Sequence, residues 1–293
     1  MTGACPQGQG HETTFAQVVA DLWGTSPEKV RVTLGDTAMI EYGVGTFAAR
    51  STALVSAAAV EATRALQEKV RAIAGKLLEA DPLDLMVDVT NGRVLVRGAP
   101  GSAVTLAEVA RAAAPGWGRS LSSDSEPGLQ ASRYYAPPTV TWSYGAHLAV
   151  VEVDSEVGAI TIHRYLVCHD SGRIVKPMLA EGQVVGGVAQ GLGSALLEVL
   201  RYGEDGQPID ATLMNYAVPT ACIVPPVETM HLTSPAPQHP LGIKGVGEAG
   251  TVGAAAVLAN AVADALAPLG VDICELPLHS ELLWQRIKDA RAR

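Results

Sequence analysis

The sequence predicts an α+β fold in two lobes. Its 293 residues are enough for one large domain or two lobes around sizeable cores. Helical and hairpin patterns are mixed along the chain, and a poorly periodic stretch from Ala114 through Pro138, rich in Gly, Ser and Pro, separates its halves. The boundaries expected are a first lobe over residues 1–115, a connecting loop over 116–140 and a second lobe over 141–293.

The elements follow in order. Glu12 to Leu22 reads as a helix because Phe15, Val18, Val19 and Leu22 fall at helical spacing. Val30 to Leu34 alternates like a strand before a turn at Gly35-Asp36. A long Ala-rich helix is expected from about Ser51 to Leu78, stopping near Asp81-Pro82. Val87 to Arg97 is expected to be a hairpin with Asn91-Gly92 at its tip, followed by a short helix over Leu106 to Ala113. In the second half, His147–Val153 and Ala159–Leu166 form a hairpin around a turn at Ser155–Gly158. Helices are expected at Gly182 to Val199, within the apolar run Thr251 to Leu269, and at Leu278 to Ala292.

Composition narrows the function. A net charge of −9 without a basic run gives no support for nucleic-acid or acidic-membrane binding. The apolar run Thr251–Leu269 is interrupted by Asn260 and Asp264, so it predicts a buried helix rather than a membrane span. Cys5, Cys168, Cys222 and Cys274 are scattered with no C-x-x-C pairing, which makes a reducing cytoplasm the expectation. No leader-like start is apparent. The seven histidines share no ligand spacing, and no residue is assigned as a metal ligand.

The most informative segment is Lys244-Gly245-Val246-Gly247-Glu248-Ala249-Gly250, which sets one carboxylate among glycines. Glycines let a backbone approach a ligand closely. Gly245-x-Gly247-x-x-Gly250 satisfies a dinucleotide fingerprint literally, yet prolines 235, 237 and 240 replace the strand that should precede it. Glu248 is then either an acid at a helix start, favoured by the macrodipole, or a catalytic base.

Two further segments pair glutamine with glycine at a helix start, Gln7-Gly8-Gln9-Gly10 beside His11, and Gly182-Gln183. Glutamine offers a donor and an acceptor without charge, and glycine amides at a helix entrance suit a phosphate or oxo group. Gly45-Thr46-Phe47-Ala48-Ala49-Arg50-Ser51-Thr52 adds hydroxyls and small residues at another entrance, where Arg50 either binds phosphate or pairs within its lobe. Tyr216 and Trp142 are read as core rather than as pocket lining.

In this order, Pro6–Thr13, Gly45–Ser51, Glu181–Gly193 and Gly242–Gly250 make the chain resemble the C-terminal molybdenum-cofactor-binding domain of the xanthine dehydrogenase / aldehyde oxidase / aerobic carbon monoxide dehydrogenase large-subunit family. The form Gln7-Gly8-Gln9-Gly10-His11-Glu12-Thr13 resembles the bacterial carbon monoxide dehydrogenase-like branch in particular. The resemblance implies the α+β fold of the family's second molybdopterin-binding domain. It also implies that Gln7, Gly8, Gln9, Gly10 and His11 lie at the metal and pterin side. Ala48, Ala49, Arg50, Ser51 and Thr52 match a loop for pterin and nucleotide phosphates. Gln183, Lys244, Gly245, Val246 and Gly247 match further cofactor contacts. Glu248 matches the active-site base, which takes a proton from the hydroxyl whose oxygen enters an electron-poor carbon.

The same resemblance implies molybdopterin with Mo, in the cytosine dinucleotide form, and electron transfer to [2Fe–2S] and FAD on partner subunits. The partners expected are the other molybdenum-binding half, an iron–sulfur subunit, a FAD subunit and a small-molecule substrate, in a dimer of the heteromeric unit. The chain is read as a split subunit of a cytoplasmic oxidoreductase. The alternative is a non-catalytic or truncated fragment of such an enzyme.

Overall fold

The computed structural model describes residues 1–114 and 126–292. They divide into two compact units, one of residues 1–140 with 237–241 and one of residues 141–236 with 242–293. The expected connecting loop falls partly on residues 115–125, which lie outside the described residues.

In the first unit, α1 (His11–Trp23) packs on the long α2 (Ser51–Leu78). Burial of Phe15 and Val18 on α1 and of Ala53, Ala57 and Val60 on α2 explains the helical spacing read from sequence. A three-stranded antiparallel sheet follows, with β1 (Leu85–Asp88), β2 (Arg93–Val96) and β3 (Ala99–Thr105) in that order. The Asp88↔Arg93 pair closes the first hairpin around Gly92, whose φ of 65° is the left-handed conformation glycine tolerates. Helix α3 (Leu106–Ala113) starts with a capping box between Thr105 and Glu108. Val70, Ile73, Leu85, Val94 and Val109 form the core of this part.

Two expectations are corrected here. Val30–Leu34 is not a strand among the described residues; only Leu34 makes an isolated bridge, to Thr2. Its alternation has no sheet partner to exploit. Strand β3 had no signal in the sequence, because Pro100, Gly101 and Ser102 have the composition of a turn.

The segment 237–241 belongs to the first unit by specific bonds. The Tyr135 hydroxyl donates to the Gln238 carbonyl at 2.8 Å, and buried His239 bonds through Nε2 to the Ala53 carbonyl of α2 at 2.8 Å. A carbonyl only accepts, so Nε2 carries the proton; Nδ1 then accepts the Leu241 amide at 3.0 Å.

The second unit is built on a mixed sheet ordered β4 (Tyr144–Val153), β5 (Ile160–Asp170), β6 (Val227–Leu232). The first pair is antiparallel with a bulge at Val150/Val151, and the second is parallel. Helices α4 (Pro177–Leu196) and α5 (Ala254–Leu266) pack together, and Tyr165, Val167, Val184, Val188, Leu192 and Leu258 form the shared core. Helix α6 (Ser280–Arg291) buries Leu283 and Ile287 against Val262, Leu266 and Leu278. Helix α4 begins at Pro177, not Gly182, because proline fits the first turn and fixes φ there. Gly182 and Gln183 therefore lie in the second turn of α4 and do not open it. No helix among the described residues is long and apolar enough to cross a membrane. The architecture is α+β, as the mixed patterning predicts.

Candidate cofactor and active-site residues

In the first unit, Gln7 and Gln9 hold each other. The Gln7 amide donates to Gln9 Oε1 at 2.7 Å, and Gln9 Nε2 donates to Gln7 Oε1 at 3.1 Å. Gly8 and Gly10, with φ of 109° and 73°, make that tight turn possible. Gly10 is also the N-cap of α1, with no side chain capping the helix. His11 follows, buried and stacked on Phe15 at 5.2 Å between ring centroids. Burial pushes its pKa below the ordinary histidine value, and its buried Nδ1 has no hydrogen-bond partner among the described residues.

The second predicted entrance has an unusual backbone. Ala48 and Ala49 both take positive φ, 51° and 49°, a conformation that costs an L-residue about 1–2 kcal/mol. Arg50 returns to the right-handed region as the N-cap of α2. No side chain caps α2, and no acid lies in its first turn. The Thr46 and Ser51 hydroxyls lie 2.9 Å apart beside it, and the Arg50 guanidinium lies over the Phe47 ring at 5.0 Å. The Arg50 amide donates to the Phe47 carbonyl at 3.3 Å, and the first-turn amides of α2 are left without a side-chain cap, which suits a phosphate. Upstream of both segments the backbones at Gly3 and Gly43 meet: a Cβ on Gly43 would lie 2.3 Å from the Gly3 carbonyl oxygen.

In the second unit, Glu248 is exposed and lies in a turn. Its carbonyl accepts the amides of Thr251 at 3.1 Å and Val252 at 3.3 Å. Helix α5 starts only after Gly253 and has no acid in its first turn, so Glu248 is not a helix-start acid. Among the described residues no hydrogen bond or ion pair holds its carboxylate. The turn rests on α4 through Gly250, where a Cβ would lie 2.0 Å from the Val184 carbonyl oxygen. Gln183 precedes Val184, so the structure brings the helical turn carrying Gln183 against the turn carrying Glu248. Gly182 and Gly186 of α4 face open space.

The opposite end of the glycine segment is fixed by charge. Lys244 Nζ donates to Asp170 Oδ2 at 3.0 Å, with both side chains buried, and lies 4.9 Å from the centroid of the Tyr144 ring. Asp170 Oδ1 accepts the amides of Gly172 at 2.8 Å and Ser234 at 3.1 Å. Burial by itself would raise the Asp170 pKa; the Gly172 and Ser234 donors together with Lys244 overcome it and hold the carboxyl far below the usual range. The Lys244 ammonium is thus committed to Asp170, and what Lys244 to Gly247 offer a ligand is main chain. Sequence reading passed over Asp170, which carries no local motif.

A polyanionic pterin cofactor fits these residues. The uncapped, acid-free start of α2 beside Ala48–Thr52, the orphaned Nδ1 of His11 and the uncharged Gln7–Gln9 pair suit it, with Glu12 the one acid in the first turn of α1. Comparison with known proteins agrees. The sequence model described as "Molybdopterin cofactor-binding domain" matches residues 1–225. The carbon monoxide dehydrogenase large chain of Hydrogenophaga pseudoflava is 37% identical over 287 residues, covering 98% of this chain and 35% of its own length. The nicotine 6-hydroxylase large subunit of Paenarthrobacter nicotinovorans is 35% identical over 288 residues, covering 98% of this chain and 35% of that one. Among solved structures, a Cu,Mo-CO dehydrogenase superposes with a TM-score of 0.87 at 36% identity, covering 99% of this chain and 36% of the other. Quinoline 2-oxidoreductase from Pseudomonas putida 86 superposes with a TM-score of 0.85, also at 36% identity, over 98% of this chain and 36% of that one. The chain therefore spans about a third of the length of these relatives. On fold and sequence alike, it belongs to the molybdopterin cofactor-binding domain family.

Proposed function

We propose that this chain is the molybdopterin-binding part of a molybdenum hydroxylase, with Glu248 as the base that prepares a water-derived oxygen for insertion at carbon. The observation that carries this reading is the exposed, unpaired Glu248 carboxylate on a turn closed by the Ala249 amide to the Val246 carbonyl and by the Thr251 and Val252 amides to its own carbonyl. When bound, the cofactor supplies the two-electron redox centre. In the first unit the uncapped helix start at Ala48–Thr52 would hold its phosphates and Gln7 to His11 would face its polar edge; in the second unit Gln183 and the main chain of Lys244–Gly247 are read as further cofactor contacts. Glu248 accepts the proton at its carboxylate oxygen and releases it to solvent.

The relatives' names include carbon monoxide, nicotine and quinoline at nearly equal identity. The substrate is accordingly assigned only as a small molecule oxidised at carbon. The cofactor is read as the cytosine dinucleotide form. The assembly is read as cytoplasmic, a dimer of a heteromeric unit with the other molybdenum-binding half and with iron–sulfur and FAD subunits that carry electrons away.

The test is Glu248→Gln in the purified native assembly, with molybdenum measured beside turnover. The expected result is unchanged molybdenum and turnover lower by about 100-fold or more, the range for losing a general base. Normal turnover at full occupancy removes Glu248 from the chemistry.

A further inference from the structure

Glu248 has no side-chain partner among the described residues, so its position depends on what holds its turn. One of those supports is a half-buried histidine ring on the sheet. His147 of β4 uses both ring nitrogens: Nδ1 lies 2.9 Å from the Tyr165 hydroxyl, and Nε2 lies 3.1 Å from the carbonyl oxygen of Ala249, the residue after Glu248. The partners fix the tautomer. A carbonyl only accepts, so Nε2 carries the proton, and Nδ1 is left to accept from Tyr165. The polarity therefore runs from the Tyr165 O–H into the ring and from the ring N–H into the peptide beside Glu248.

The geometry leaves the ring little freedom. Tyr165 is fully buried in the core shared by α4 and α5, and the two rings meet edge to face with centroids 5.9 Å apart. On its other side the ring lies against Gly253, where a Cβ would come within 2.7 Å of it. Burial keeps His147 below the ordinary histidine pKa, which preserves the neutral form this arrangement needs.

We propose that His147, oriented by Tyr165, is a positioning residue that sets the place of the Glu248 carboxylate through the Ala249 carbonyl. The inference rests on the assignment of Glu248 as base. It predicts that the Ala249 bond, rather than packing alone, keeps the turn closed.

The test is hydrogen–deuterium exchange at the Thr251 and Val252 amides, read beside turnover in the same native assembly. His147→Phe keeps a ring but removes the donor; His147→Gln returns an N–H donor; Tyr165→Phe keeps all packing and removes only the hydroxyl. His147→Phe is expected to speed exchange about fivefold, the effect of one ordinary hydrogen bond, and to lower kcat with KM unchanged. His147→Gln should recover both. Tyr165→Phe should reproduce a smaller part of the loss, and it carries the test where His147→Phe does not fold. Exchange and kcat unchanged in Tyr165→Phe and in folded His147→Phe overturn the proposal. Glu248→Gln separates the two readings. Normal turnover there sinks the base assignment, whereas loss of turnover there with no effect at residues 147 and 165 sinks only the positioning role.

Discussion

Asp170 and Lys244 form a buried ion pair, 3.0 Å from Nζ to Oδ2, at the entrance to the glycine segment that carries Glu248. Asp170 ends β5 and fixes the following turn through the Gly172 amide; Lys244 is bonded along its own main chain to Ser171 at 3.1 Å. The strand end and the glycine segment are thus joined by charge and by backbone at once.

Removing one partner should therefore cost much more than removing both. Lys244→Met leaves a buried carboxylate with two amide donors and no cation, and should lower unfolding free energy by about 3 kcal/mol. Lys244→Met with Asp170→Asn leaves no buried charge and should cost clearly less than the two single changes added together. Denaturant unfolding of the parent, the two single variants and the double variant checks this. Additive losses would show that the pair is not coupled.

The same pair predicts acid sensitivity. The Asp170 pKa is depressed in the folded protein relative to its unfolded value, near 3.8. Its contribution to stability is then complete above that value and is lost as pH falls below it towards the folded pKa. Asp170→Asn should flatten the fall in stability below about pH 4 and lower the plateau above it. A parallel acid limb in both proteins, measured by unfolding from about pH 2 to about pH 6, would exclude Asp170 as its source.

The glycines of α4 and the Glu248 turn divide into two kinds, and substitution should separate them. A Cβ on Gly250 would strike the backbone of α4, so Gly250→Ala should destabilise the fold by roughly 2 kcal/mol or more. Gly182 sits inside α4 with open space beside it, so Gly182→Ala should stabilise the apo chain by about 0.5–1 kcal/mol. If that open face receives cofactor, the same change lowers molybdenum content. Higher stability with undiminished molybdenum would leave Gly182 without a role in binding.

Much of this was legible in the sequence where the signal is local. Helix α2 is expected from about Ser51 to Leu78 and runs from Ser51 to Leu78, because one apolar period continues without a proline, and a single glycine, Gly75, near the end is tolerated. Glu248 stood out because an acid among glycines is uncommon chemistry. The supports behind it were not legible. His147 and Ala249 are 102 residues apart, and Asp170 and Lys244 are 74 apart, so neither pair leaves a spacing to read. Strand β6 was missed for a related reason: Val227 to Leu232 becomes a strand by pairing in parallel with β5, and its own alternation is diluted by Glu228 and His231.

The entrance of α2 gives a test in which stability and binding move in opposite directions. Its first turn holds no acid and no cap, and the left-handed Ala48 and Ala49 precede it. An uncapped helix start ordinarily gains from a carboxylate, so Thr52→Asp should stabilise the apo chain by about 0.3–1 kcal/mol. A carboxylate there also meets the charge of an incoming phosphate and uses the amides that would bind it. Molybdenum content should fall by about tenfold even as the melting temperature rises. Thr52→Asn controls for size and hydrogen bonding without charge, and should bind nearly as the parent does. A Thr52→Asp protein that is more stable and fully loaded with molybdenum would show that the phosphates lie elsewhere, and that the strain at Ala48 and Ala49 serves only the approach to the helix.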